Sequence, residues 1–296
     1  QEPLVHEAVP TLGGVDVEVV ALLGSVHHRD RVRGVIAAFG VQTLYHAAAY
    51  KHVPIVEYNM IEGIHNNIIG TWHTAEAAEE AGVETFVLIS TDKAVLPVNV
   101  MGATKRLAEI VCRSLQGRGT QFVIVRFGNV FGSAGSVIPR FREQIARGGP
   151  VTVTHPEITR YFMSLSEATQ LLLQAGLMGR SGEILVLDMG DPVRILDLAR
   201  DMIRLSGADP DHIPIVFTGL RPGEKLYEEV LASEEATRST PHPKLRVAGA
   251  RQAAQQEHDH AGQRVVAAAV FLGQLFQVQT ILQFRNRDQA IEQPAA

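Results

Sequence analysis

The stretch ETFVLISTDKAVLPVNVMGATK, Glu84 to Lys105, decides the architecture. The short apolar run FVLIS reads as a strand buried on both faces, and MGATKRLAEIVCRSLQ (101–116) as the helix that follows it. In open α/β sheets ligands sit outside the carboxyl ends of the strands, which is where this strand delivers Ser90, Thr91, Asp92 and Lys93. Met101 and Lys105 are four apart and share one helix face. A Tyr-x-x-x-Lys pair at that spacing lets the lysine lower the tyrosine pKa, so that the phenol works as a base at a hydroxyl. Here the lysine is present and a methionine stands at the tyrosine position. Thr91 and Asp92 either cap a helix beside a solvated Lys93 or form a reactive group; their place at a strand end favours the second.

Working outward, the same alternation repeats. VEVVALLG (17–24) reads as a strand and HRDRVRGVIAAFG (28–40) as an amphipathic helix stopped by Gly40. VQTLYHAAA (41–49) is the next strand, a helix covers about 58–82, and ETFVLIS precedes the 101–116 helix. QFVIVRFGNVFG (121–132) is a further strand. Strands alternating with helices of this length predict an α/β fold, a parallel sheet covered on both faces. After Phe131 the rhythm changes. A glycine-rich bend, short helices, the strand GEILVLDMG and a loop, GLRPGEKLYEEVL, leading into a further helix predict a smaller α/β lobe. From about 247 the chain is rich in Gln and Ala and lacks turn chemistry, so no role is assigned to 247–296.

Composition narrows the function classes. The 296 residues hold 46% hydrophobic and 20% charged side chains, the balance of a globular chain with a substantial core. A formal net charge of −5 leaves no basic surplus for binding nucleic acid. Cys112 is the single cysteine, so no intrachain disulfide forms, and a reducing cytoplasm is expected. The histidine groupings His27-His28 and His258-Asp-His260 lack metal-ligand spacing, and no metal is expected. No run of about 20 apolar residues exists; VVAAAVFLGQLF (265–276) is too short to span a bilayer. The opening QEPLVHEAVP has no signal-peptide pattern and reads like the interior of a longer protein.

Further segments carry chemistry. HAAAYKHVP (46–54) follows a strand with small residues, which suit either the close approach of a flat ring or tight helix–strand packing. Asn67 is a polar residue inside a helical pattern, a place from which side chains bridge neighbouring segments. RFGNVFGSAGSVIPRF (126–141) puts Asn129 beyond a strand end, then offers a short helix whose N-terminal amides suit a phosphate. Arg160 and the Arg221-Pro-Gly-Glu224-Lys225 run add guanidinium groups suited to bidentate phosphate binding, although each arginine alone is more often an ordinary surface residue.

Together HAAAYKHVPIVEYN, STDKAV-P-NVMGATKR, RFGNVFGSAGSVIPRF and RPGEKLYEE resemble the extended short-chain dehydrogenase/reductases. More narrowly they are similar to the CapD-like polysaccharide-biosynthesis branch of UDP-N-acetylglucosamine 4,6-dehydratases, over about 17–247. Methionine stands at position 101 as in the larger, membrane-anchored members. The resemblance implies a Rossmann-like NAD-binding domain over 1–132, also receiving about 160–190, and a substrate lobe over 133–159 and 191–246. It implies tightly bound NAD, a UDP-sugar substrate, a homo-oligomer, and a membrane link only through an N-terminal anchor. By position Asp92 is the acid at O6 and Lys93 the base at C5, kept neutral by burial and by Lys105. Lys105 also holds the nicotinamide ribose, with Ser25, Val26, Ala47, Ala48, Lys51, Asn67 and Ser90 near the cofactor. Asn129, Ser136, Val137, Arg140, Arg160, Arg221 and Glu224 face the substrate. A thioether has no useful basicity, so Asp92, helped by Thr91 or a water, is expected to take the O4 proton in place of a tyrosine.

The sequence departs from that pattern at its start. No strand with a GxxGxxG-type turn is present, and TLGGVDVEVV does not precede a helix, so the pyrophosphate cradle is expected to be missing and NAD binding to be weak or absent. Ser25 stands where relatives carry an acidic residue near the adenine. Two other readings follow: an epimerase or reductase of the same fold, which has no need of an acid–base pair for eliminating water, and a non-catalytic remnant that binds a UDP-sugar.

Overall fold

A computed structural model describes residues 19–133, 135–207, 212–231 and 237–249. The elements run α1 (Arg29–Phe39), β1 (Thr43–His46), α2 (Val53–Tyr58), α3 (Met60–Ile64), α4 (Gly70–Glu80), β2 (Thr85–Ile89), α5 (Val100–Ser114), β3 (Gln121–Arg126) and β4 (Asn129–Val130). There follow α6 (Val137–Ala146), β5 (Val151–Val153), β6 (Thr159–Arg160), β7 (Phe162–Met163), α7 (Leu165–Met178), β8 (Ile184–Leu187), β9 (Val193–Arg194) and α8 (Ile195–Leu205). β10 (Ile215–Phe217), β11 (Thr237–Ser239) and β12 (Leu245–Ala248) complete the order.

The main sheet has six strands in the order β1-β2-β3-β8-β12-β11. The first four are mutually parallel, and β12 and β11 add antiparallel. β2 and β3 lie in the middle, and FVL of β2 and FVIV of β3 are fully buried because helices cover both faces. On one side Ile36, Ala75, Ala78, Ala108 and Cys112 of α1, α4 and α5 pack on Phe86, Leu88 and Phe122. On the other, Ala168, Leu171 and Ala175 of α7 meet Val87, Val123 and Leu185. The parallel, two-faced α/β sheet read from the alternation is therefore present.

A separate cluster built from Phe141, Val151, Ile158, Ala199 and Ile203 forms the core of the smaller lobe. There β10 pairs with β5, β6 with β9, and β4 with β7. The stretch 237–246, expected in that lobe, instead reaches the main sheet, because Leu245–Ala248 pairs with β8 and Thr237–Ser239 pairs with it in turn.

Other expectations need correction. Residues 19–24 form no strand; Val20 alone makes a bridge, and Leu22 and Leu23 are exposed. A strand needs a hydrogen-bonded neighbour along its length, and among the described residues of this segment only Val20 makes such a pairing. The single helix expected over 58–82 starts earlier, breaks at Asn59 and contains a π turn at His65–Ile69. GLRPGEKLYEEVL is a loop as expected, with Arg160 holding the carbonyls of Lys225 and Leu226, and residues 232–236, where the further helix was expected to begin, lie outside the described residues. Among the described residues no helix is long and apolar enough to cross a membrane, and no group of His, Cys, Asp or Glu has metal-site geometry. Residues 17–18 of the expected first strand, His258, His260 and the tail from 250 lie outside the described residues.

Candidate active site

The carboxyl ends of β2 and β3 open into a cleft of about 770 Å³ between the sheet and the smaller lobe. The turn after β2 is sewn to the chain after β3: Ser90 N–H donates to Val125 O and Asp92 N–H to Phe127 O. Thr91 is extended and caps a short 3₁₀ turn over Asp92–Ala94, its hydroxyl accepting from Lys93 N–H. The capping reading of Thr91 is therefore present in the structure. The first residues of α5 press against the turn. Asn99 caps α5 through Gly102 N–H at 2.7 Å, and a Cβ on Gly102 would stand 2.2 Å from the Lys93 carbonyl oxygen. Gly102→Ala therefore has to push helix and turn apart. We expect a loss of about 1–3 kcal/mol or more, read as a fall in Tm; an unchanged Tm would refute the close approach.

Asp92 is fully buried. Its Oδ1 accepts from the Thr91 hydroxyl at 2.8 Å and from Lys93 Nζ at 2.9 Å. Oδ2 has no partner among the described residues and lies against Gly128, where a Cβ would stand 3.3 Å from it. Lys93 Nζ also reaches Asn129 Oδ1 at 3.3 Å and Glu228 Oε1 at 3.9 Å. The recorded partners of Lys93 are thus carboxylate and amide oxygens.

Met101 is buried and lines the cleft beside Lys105. Burial pushes the Lys105 ammonium down to about 8, with Glu109 and Cys112 pulling part of the way back. Lys105 makes no hydrogen bond or ion pair among the described residues. Behind it lies a buried ion pair: Arg126 grips Glu109 with Nε at 2.8 Å and Nη2 at 2.7 Å. Ser90 donates its hydroxyl to Glu109 at 2.6 Å, so that proton is committed away from the cleft. On β1, His46 is pushed down to about 3 by burial and then by Lys105, and its Nε2 meets the Thr71 hydroxyl.

Of the expected cofactor residues, Ala47, Lys51, Ser90 and Lys105 line the cleft. Ala48 is exposed without lining it, Ser25 is exposed, and Val26 packs against Gly70 of α4 instead. Asn67 is buried and fully engaged: it exchanges hydrogen bonds with the backbone of Tyr50 and donates to the Thr104 hydroxyl. The π turn aims it there, a distortion frequent at functional sites. All seven expected substrate residues line the cleft, but their freedom differs. Ser136 Oγ is buried without a partner among the described residues at the start of α6, and exposed Arg140 lies one turn on. Arg160 is corrected from phosphate ligand to strap, since both Nη atoms are spent on Thr159 O, Leu226 O, Lys225 O and Glu224. Arg221 stays half exposed at the rim, with its N–H on Glu224.

Glu228 was not anticipated. RPGEKLYEE matched as a unit, yet nothing in it separates buried Glu228 from exposed Glu229. The tertiary route does: Asn99 takes Gly223 O, Lys225 reaches Val95 O, and Arg160 holds 225–226, which swings Glu228 under Lys93.

Residues 6–250 match the family described as polysaccharide biosynthesis protein. The chain belongs to that family. It is 55% identical over 233 residues to "Capsular polysaccharide biosynthesis protein CapD" of Staphylococcus aureus, covering 78% of this chain and 39% of that one. It thus spans about two fifths of the length of that relative and of the similar EpsC of Bacillus subtilis. Among solved structures, Pen from Bacillus thuringiensis superposes with TM-score 0.72 at 35% identity, covering 78% of this chain and 72% of that one. DesIV of Streptomyces venezuelae, a dTDP-glucose 4,6-dehydratase solved with NAD, superposes with TM-score 0.62 at 23% identity over 70% and 69% of the two chains, which shows a shared fold. The NAD expected from the sequence agrees with the cofactor held by that structure. The residues of this family member fit one half of such a cofactor: a buried Lys105 without a hydrogen-bond partner suits a ribose diol, with Ala47 and Ser90 beside it. Among the described residues no glycine-rich strand–turn–helix is available for the pyrophosphate.

Proposed function

We propose that this domain performs the chemistry of a nucleotide-sugar 4,6-dehydratase, converting UDP-N-acetylglucosamine to its 4-keto-6-deoxy derivative for surface polysaccharide biosynthesis. The observation that carries this reading is the Thr91-Asp92-Lys93 turn: a fully buried carboxylate with one oxygen hydrogen-bonded by Thr91 and Lys93 and the other unpartnered, at the strand-end cleft. An epimerase or reductase has no use for paired acid and base at C5 and O6, so the pair favours elimination.

When bound, NAD would supply a hydride acceptor for C4 of the hexose and the hydride donor for C6, so that the sugar ends with no net change in oxidation state. Lys105 would hold its ribose, and Ala47 leaves room for the ring. Ser136 at the start of α6, with Arg140 and Arg221, suits the UDP phosphates. Asp92 takes the proton from O4, because Met101 has no basicity to do so. Lys93 removes the proton from C5, acidified by the neighbouring ketone, and Asp92 passes its proton to O6 as water departs. Lys93 then returns the proton to C5. The test is incubation with UDP-N-acetylglucosamine and NAD followed by NMR of the nucleotide sugar. A 4-keto-6-deoxy product supports the reading; a 4-epimer or an unchanged sugar at saturating cofactor overturns it.

A further inference from the structure

That sequence of steps leaves one proton unaccounted for. Lys93 begins as an ammonium donating to Asp92 Oδ1 at 2.9 Å, and an ammonium cannot take the C5 proton. If Asp92 is occupied by the O4 proton, it cannot also relieve Lys93. A second acceptor has to lie within reach of Nζ, shielded from solvent so that the proton is kept for return.

Glu228 is placed for this. Its side chain is only 3% exposed, and its Oε1 stands 3.9 Å from Lys93 Nζ, within ion-pair range. Its Oε2 is buried with no partner among the described residues, so the carboxyl is not consumed by a structural role. The groups facing it are Lys93 and Asp92 from the turn after β2, Arg160 from β6 and Lys225 from its own segment. Burial pushes the Glu228 carboxyl up, Asp92 adds to this, and the three cations oppose without cancelling it. Such a carboxyl holds a proton more readily than an exposed one.

We propose that Glu228 takes and stores the Lys93 proton while Asp92 carries the proton from O4, so that Lys93 becomes a neutral amine in time to act at C5. This rests on the dehydratase reading and deepens it. The balance closes. The O4 proton goes to Asp92, the Lys93 proton to Glu228 and the C5 proton to Lys93. The Asp92 proton then joins O6, so the water that leaves carries O6, its own hydrogen and the proton from O4. Lys93 reprotonates C5, Glu228 returns its proton to Lys93, and both carboxylates end as they began. No outside acid or base is consumed. Glu228 touches no substrate atom; it acts through Lys93, as a positioning and proton-storing residue.

The test is Glu228→Gln, whose amide keeps the shape but takes up no proton. Turnovers with UDP-N-acetylglucosamine and NAD are quenched with borodeuteride, which places deuterium at C4 of hexose that is oxidised but not dehydrated. In E228Q this labelled hexose is expected to accumulate, and the 4-keto-6-deoxy product to fall by about 100-fold or more. Exchange of the C5 hydrogen of supplied 4-keto-6-deoxy product in D2O is expected to stay near the unmodified rate, because Asp92 is then unprotonated and relieves Lys93 itself. Unchanged product formation overturns the proposal, as does joint loss of product and C5 exchange, which marks a merely structural role. An unmodified chain that shows neither C4 label nor C5 exchange overturns the dehydratase reading and this proposal with it. An unmodified chain with both, matched by E228Q, overturns this proposal alone.

Discussion

Asp92→Asn is expected to lower formation of the 4-keto sugar by about 10²–10⁴-fold, the range lost when a positioned general acid–base is removed. The substitution isolates proton transfer. The carbonyl of the introduced amide still accepts from the Thr91 hydroxyl and Lys93, as Oδ1 does now. Its NH2 group takes the place of Oδ2, which has no partner to lose. The turn therefore keeps its shape, and Tm should move little. What the amide cannot do is accept a proton from O4 or give one to O6. Both oxidation and elimination then fail together, which separates this variant from E228Q, where oxidation persists. Measured by NMR of the product alongside thermal unfolding, near-normal 4-keto-sugar formation in a folded Asp92→Asn chain would sink the assignment.

Arg126→Met is expected to cost about 3–5 kcal/mol of stability, because it leaves the fully buried Glu109 without its bidentate partner. Burial by itself would raise the Glu109 carboxyl; Arg126, then Arg106 and Ser90, outweigh it and hold the carboxyl below its ordinary value. The sign of the pH effect follows. A folded value below the unfolded one contributes stability that is complete above the unfolded value of about 4.3 and is lost as pH falls through the lower folded value. Denaturant titrations across pH 3–7 should show that acid-side loss in the native chain. In Glu109→Gln the Glu109 share of the slope should vanish. The double variant should cost less than the sum of the single ones, since each removes the same contact. A cost for Arg126→Met under about 1 kcal/mol would show that the pair contributes nothing beyond its packing.

The pair also bears on the site. Ser90 and Lys105 both feel Glu109: one donates its hydroxyl to it, and the other has its ammonium supported by it. Removing the Glu109 charge should lower Lys105 further, so the stability network and the cleft share one carboxylate.

The sequence by itself determined the parallel sheet, because alternation of buried strands with amphipathic helices is a local property that each segment carries in its own residues. It also determined the Thr91-Asp92-Lys93 turn and the Met101–Lys105 face, since a strand end and a four-residue helical step place side chains without reference to the rest of the chain. It misjudged what depends on distant partners. Residues 19–24 look like a strand, but among the described residues of that segment only Val20 pairs. Arg160 looks like a phosphate ligand but spends its donors on backbone carbonyls more than 60 residues away. Glu228 looks like any surface glutamate of LYEEV, and only the docking of 223–226 onto α5 and β6 buries it 3.9 Å from Lys93. The tertiary structure decided these because the burial and charge environment of a side chain are set by what folds against it. Periodicity and spacing report only on the segment that carries it.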